Sequence, residues 1–232
     1  MRPFWIGTAV MLLAAACARS PAPTQSNSSS RSGSPAPAVP NITINPANIK
    51  RVGREMPPGY EVTTGIPSGA SPRVIWNLEA SATAKPSQCA TLADPGNGRD
   101  QSAQGVSGSG TGGIVDAVLV AFLALPGPLD LDHDVVAACG QWIMAGGHTS
   151  VSARLTEPPH IDGVDTVGMV HDIKTSVESG TEIDSRAYTF TAYLGNYYAF
   201  TTVTTDPGSV LPALTAQFAA DLLVKTVSTL RS

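Results

Sequence analysis

The sequence predicts an α+β fold, an antiparallel β-sheet flanked by helices, forming a single domain after a signal peptide and a disordered linker. Three observations predict it. From His148 the apolar pattern takes period two through four adjacent segments, the mark of neighbouring strands joined by short turns. Residues 114–125 form a nearly continuous apolar run rich in valine, which suits a strand buried on both faces. The chain then closes with Leu211, Leu214, Phe218 and Leu222 at helical spacing. Composition agrees: only 14% of the 232 residues are charged, against roughly 25% in ordinary soluble domains. With 22 glycines and 19 prolines, that balance favours turns and strands over long charged helices.

The first segment is an address rather than a fold element. Arg2 precedes an apolar stretch from Phe4 to Leu13, and Ala14, Ala15 and Ala16 lead to Cys17. The stretch is shorter than the roughly 20 residues of a bilayer-spanning helix and suits the core of a signal peptide, residues 1–16. The small-residue run resembles the lipobox of bacterial lipoproteins, although Leu13 stands one place early and Ala14 occupies its usual position. That resemblance implies lipidation of Cys17 (palmitate on its sulfur) and anchoring to the outer, extracytoplasmic face of the cell membrane. An ordinary secretory cleavage at Ala14-x-Ala16 is the alternative. Residues 17–44, dominated after the cysteine by Ser, Pro and Ala, bury too little apolar area to order themselves and read as a flexible tether. The domain proper is residues 45–232.

No acid precedes Glu55, whereas Arg2, Arg19, Arg31, Lys50, Arg51 and Arg54 all do. From Glu55 onward 8 Lys or Arg face 18 Asp or Glu, a net −10. An acidic body excludes the clustered basic face that nucleic acid requires. The basic arm suits anionic lipid headgroups instead.

Within the domain, Asn45 and Pro46 cap and open a short helix to about Arg54, ended by Pro57-Pro58-Gly59. Residues 60–64 read as a short strand, and 73–80 as a second strand or an irregular segment. Residues 86–94 read as a short helix capped by Ser87 and carrying Cys89. Strands over 103–109 and 114–125 flank a glycine-rich turn. Residues 130–145 have an acidic first turn and then Val135, Val136, Cys139, Trp142 and Ile143 at helical spacing, which predicts a helix ending at Gly146-Gly147. Strands are expected over 149–156, 164–177, 182–194 and 196–205, with Gly195-Asn196 as a tight hairpin. A helix over 209–230, with Pro212 in its first turn, completes the chain.

With Cys17 assigned to lipid, Cys89 and Cys139 remain as an even pair in an oxidising compartment and are expected to form a disulfide; two separate buried thiols are the alternative. Neither has the spacing of a metal site. Gly108, Gly110 and Gly113 have the GxGxxG spacing, but polar residues precede and a strand follows, so the stretch reads as a hairpin turn and not a dinucleotide loop. Asp130, Asp132, His133 and Asp134 crowd together, yet a calcium loop needs glycine and glutamate where Val135 and Gln141 stand. His148, His160 and His171 are scattered, and Gly105-Val106-Ser107-Gly108-Ser109 lacks the last glycine of a nucleophile elbow. His171 alternates with Val167, Met169 and Ile173, as a core histidine does. In the hairpin aromatics Tyr188, Phe190, Tyr193, Tyr197, Tyr198 and Phe200, core is expected on one face, with a binding wall on the other as the alternative.

The order of these features, a lipobox at Cys17, a Ser/Pro tether, Pro86-Ser87-Gln88-Cys89 opening a short helix, Cys139 and Trp142 further on, paired strands and a terminal helix, resembles mycobacterial lipoproteins of the LprH kind. Their domain is similar to the extracellular sensor domain of the receptor serine/threonine kinase PknH. The resemblance covers about residues 45–232 and implies a disulfide-pinned α+β domain with a ligand cleft and no catalytic residue; the kinase sensors carry two disulfides where this chain can form one. The expectation is a lipid-anchored, non-enzymatic ligand-binding or sensor-like domain, with no cofactor, no metal and no nucleic acid, and with a small molecule or lipid as the possible ligand. A cell-envelope interaction or structural module is the alternative, and a serine hydrolase with a spatially assembled Ser and His a third reading.

Overall fold

The computed structural model describes residues 43–66, 70–123, 127–205, 210 and 212–232. The expected signal peptide, Cys17 and the expected tether to residue 42 lie outside the described residues. Nine strands form one antiparallel sheet: β1 (Glu61–Thr63), β2 (Thr83–Lys85), β3 (Gln101–Gly110), β4 (Gly113–Phe122), β5 (Gln141–Gly146), β6 (Thr149–Thr156), β7 (Asp165–Ser176), β8 (Glu182–Tyr193) and β9 (Tyr197–Thr205), in the spatial order β1-β3-β4-β9-β8-β7-β6-β5-β2. Each long strand pairs with its chain neighbour through a hairpin, except that β4 pairs with β9 to join the two halves. Both edges are three-residue strands, which shortens the unpaired backbone on offer to other chains.

The longer helices are shorter than expected, and the fold is mostly β. The Pro46–Glu55 segment is a 3-10 helix, with the Asn45 side chain accepting from the Ala47 N–H at 3.2 Å. The segment read as a strand or irregular at 73–80 instead holds a one-turn helix, α1 (Pro72–Ile75), which delivers Trp76 to the interior. A 3-10 turn at Ser87–Cys89 runs into α2 (Ala90–Ala93), and Pro86 rather than Ser87 takes the cap position.

The largest correction falls on residues 130–145. Asp132 caps the segment: its carboxylate accepts from the Asp134 and Val135 N–H groups at 3.0 Å each, and α3 runs only from His133 to Ala138. Cys139 and Gly140 end it. Trp142 and Met144 are then buried while Gln141, Ile143 and Ala145 are exposed, the period-two pattern of β5. The last helix, α4, is Ala216–Leu230, shorter than expected because the Thr215 hydroxyl caps it, accepting from the Phe218 N–H at 3.2 Å. Pro212 precedes the helix instead of opening it, and Leu211 lies outside the described residues.

The two faces of the sheet are covered differently. On the helical face the Pro46–Glu55 helix lies over β3 and β4, and α4 over β8 and β9, burying Val106, Val115, Leu119, Phe190, Val203, Leu222, Leu223 and Val227. On the opposite, loop face, residues 66, 70–93 and 129–139 bury Trp76, Leu92, Trp142, Met144, Met169, Tyr198 and Phe200. β4 is buried on both faces, Val115, Ala117 and Leu119 to one side and Val118 and Val120 to the other, as its unbroken apolar run predicts.

The Cys89–Cys139 disulfide, with Cα atoms 5.7 Å apart, ties the α2 segment to the end of α3 over β5. Tyr60 lies along the glycines of the β3–β4 hairpin so closely that a Cβ on Gly110 would sit 2.4 Å from its ring. That contact is the physical role of the glycine-rich stretch, and it leaves the stretch in a hairpin.

Candidate functional site

The four histidines do not converge on a nucleophile. His133 is exposed and stands 3.8 Å from Asp165. His148 is exposed in the β5–β6 turn. The His160 Nε2 lies 3.0 Å from Asp162 Oδ1 in the exposed β6–β7 connection. His171 is wholly buried on the loop face, its ring centroid 3.8 Å from that of Trp76. Among the described residues no serine hydroxyl hydrogen-bonds to any of them. The Asp130–Asp134 cluster divides between capping α3 and solvent, and among the described residues no three His, Cys, Asp or Glu groups are placed to hold a metal.

The loop face has the chemistry of a closed interior. Trp76 Nε1–H donates to the Thr189 hydroxyl at 3.0 Å, and Thr189 shares a 3.0 Å hydrogen bond with Thr202. Burial pushes the His171 imidazole down to about 3, and the Ala187 backbone across the ladder offsets this only in part, since neither ring nitrogen makes a hydrogen bond of good geometry. Burial also raises the Asp116 carboxyl, which pairs across the ladder with Ser107, and the Asp94 carboxyl, although Arg73 Nε lies 2.8 Å from it. Of the hairpin aromatics, Phe190 points to the helical face and Tyr198 and Phe200 to the loop face; all three are core. What the sequence offered as a binding wall is filled by α1 and its neighbours.

A groove opens on the helical face. α4 covers β8 and β9 and leaves a border with the strands beyond, where Gln141, Ile143 and Ala145 of β5, Arg154 of β6 and Lys174 of β7 are exposed while Val170 of β7 is buried. Along that border runs a groove of about 430 Å³ between α4 and the β6–β7 connection, lined by Val224, Val227, Ser228, Arg231 and Ser232 on one wall and His160, Ile161 and Asp162 on the other. Both terminal nitrogens of Arg231 donate to the Asp162 carbonyl at 3.3 Å and so hold the two walls together. Beyond the groove the bare sheet carries a charge ladder. Asp172 accepts from Arg186 at 2.6 and 2.7 Å and faces Arg154 at 3.6 Å, and Lys174 lies 3.4 Å from Asp184. A smaller cavity of about 310 Å³ lies on the other flank of α4, where Lys225 bonds Glu55 at 2.7 Å.

Sequence reasoning named His160 but not its partners. The signal was present in α4: Val224, Val227, Ser228 and Arg231 recur at intervals of three and four and mark one helix flank. Ile161 and Asp162 carry no local signal, because a loop places them.

Fold and site together define a disulfide-pinned, single-sheet domain with buried cores on both faces of the sheet and a groove beside α4. The family model for the domain of unknown function DUF5642 matches residues 45–231, and the chain belongs to that family. No curated protein matches the chain. The fold is similar to the X-ray structure of an uncharacterised protein from Mycobacterium smegmatis, an ortholog of Rv0999, with a TM-score of 0.61 at 21% identity over 84% of this chain and 100% of that one.

Proposed function

We propose that this chain is a membrane-anchored extracytoplasmic lipoprotein whose domain, residues 45–232, binds a ligand without transforming it. The observation that carries the reading is the groove beside α4, which joins an apolar strip to hydrogen-bonding groups. The lipobox at Cys17, the Ser/Pro tether and a disulfide suited to an oxidising compartment support the extracytoplasmic placement. The resemblance to LprH-like lipoproteins and to the PknH sensor domain supports the sensor-like part. A second reading, an envelope interaction module, is favoured by the uncovered faces of β5, β6 and β7, with Ile143 half exposed among polar neighbours.

Two experiments test the proposal. Cys17→Ser is expected to move the protein from the membrane to the soluble fraction, and unchanged fractionation would refute lipid anchoring. The domain purified after export is expected to carry a small molecule, read by mass spectrometry of its extract, that the groove variant Val224→Asp loses. A domain empty in both forms, but capturing an envelope protein through the bare sheet, would replace ligand binding with the interaction reading.

A further inference from the structure

The groove beside α4 is segregated along its length. Val227 and Ile161 form its buried floor, and Val224, 38% exposed, extends that apolar strip to the surface. Ser228 and Arg231 lie on the same helix flank, one and two turns further on. The one carboxylate among the described lining side chains, Asp162, is engaged by His160. Arg231 reaches the Asp162 carbonyl and forms no ion pair among the described residues. The groove therefore presents a guanidinium without a carboxylate partner beside an apolar strip, with the Asp162 side chain turned to His160.

We infer that the groove takes a single-chain anionic amphiphile, its carboxylate or phosphate head on Arg231 and Ser228 and the first part of its acyl chain along Val224, Val227 and Ile161. The inference rests on the binding reading above and names its ligand class. Guanidinium is the side chain best matched to a carboxylate or phosphate through paired donors. An apolar strip next to it excludes simple inorganic anions as the preferred occupant, since they would leave that surface in water. The groove also lies where the chain enters the domain: the Asn45 N–H donates to the Leu230 carbonyl at 2.8 Å and Asn48 Nδ2 to the Ser232 carbonyl at 2.7 Å. A lipid anchor on Cys17 would keep that groove within tether reach of a source of such molecules.

The test is calorimetric titration of residues 43–232, which contain both cores and the disulfide, with ligands below their micelle concentrations. Oleate and lysophosphatidylglycerol supply head and chain, monoolein the chain with a neutral head, and inorganic phosphate the head alone. Oleate and lysophosphatidylglycerol are expected to bind one site, monoolein about fivefold more weakly, as for one exposed ion pair, and phosphate not at all. Arg231→Gln is expected to reduce oleate to the monoolein level, Val224→Asp to abolish both, and Lys174→Gln on the bare sheet to change neither. Equal binding of oleate and monoolein, binding of phosphate alone, or indifference to Arg231→Gln would overturn the inference. The broader binding reading would survive that failure if a molecule of another class co-purified with the domain and was lost in Val224→Asp.

Discussion

Replacing His171 by leucine tests whether the loop face is a sealed interior. In the unfolded chain the imidazole titrates near 6.5, and in the fold it is held down to about 3 because burial against Trp76 penalises the cation. The unfolded state therefore binds a proton first as pH falls, and folding stability is lost from about 6.5 downward, levelling off below about 3. Between pH 7 and pH 5 the loss assigned to this one group is on the order of 2 kcal/mol at 1.36 kcal/mol per unit. His171→Leu removes it. Urea unfolding at the two pH values, wild type against variant, cancels both the packing change, present at each pH, and the carboxylates common to both proteins. The variant is expected to lose about 2 kcal/mol less than wild type on acidification. Equal losses would show that His171 is solvated or protonated in the fold, and that the interior drawn here around Trp76, Thr189 and Thr202 is open to water.

Four further outcomes follow from named contacts. Cys139→Ser opens a loop whose ends are 50 residues apart and is expected to lower stability by up to about 4 kcal/mol in the chain-entropy model, read by thermal unfolding with the reduced wild type as reference. Thr215→Ala removes the cap of α4 and is expected to cost about 1 kcal/mol in urea unfolding, with Thr215→Gly costing less. Gly110→Ala drives a methyl into the Tyr60 ring and is expected to destabilise by about 1–3 kcal/mol, relieved when Tyr60 is cut to alanine in the same chain. Trp142→Ala is expected to cost about 3–5 kcal/mol and Ile143→Glu less than about 0.5, a contrast in chemical denaturation that a helix burying both residues would not produce.

That last contrast marks where the sequence was legible and where it was not. Long strands with a clean alternation or an unbroken apolar run could be read directly: β4, β6, β7, β8 and β9 fall within a few residues of their expected places, and the Gly195-Asn196 hairpin stands where its turn chemistry puts it. Residues 130–145 misled because Val135, Val136, Cys139, Trp142 and Ile143 satisfy a helical period by spacing alone. The deciding facts are non-local: Cys139 is tied to Cys89, and Trp142 and Met144 face a core built by residues far away in sequence. β2 escaped notice for the same reason, since three residues carry too little pattern and are strand only because β5 pairs with them. The groove was half legible, its helical wall written in the spacing of α4 and its loop wall in no local pattern at all.

The uneven covering of the sheet connects fold to proposed function. A sheet face left bare must either be apolar and seek a partner or carry enough charge to remain in water. Here the bare half does the second: the Arg154–Asp172–Arg186 ladder and Lys174 with Asp184 keep β6, β7 and β8 solvated, and the edge strand β2 is too short to recruit another chain by backbone pairing alone. Apart from Ile143 on β5, the apolar surface described on this face gathers at the border, where α4 ends its coverage and Val224 and Val227 meet Ile161. The floor of the groove, Val227 and Ile161, belongs to the helical-face core, whereas Val224 and Arg231 sit at its exposed rim. Rim variants are therefore expected to change titrations more than unfolding midpoints: Arg231→Gln also gives up its hydrogen bonds to the Asp162 carbonyl, worth about 1 kcal/mol, and a larger loss of stability would tie the groove to the core instead.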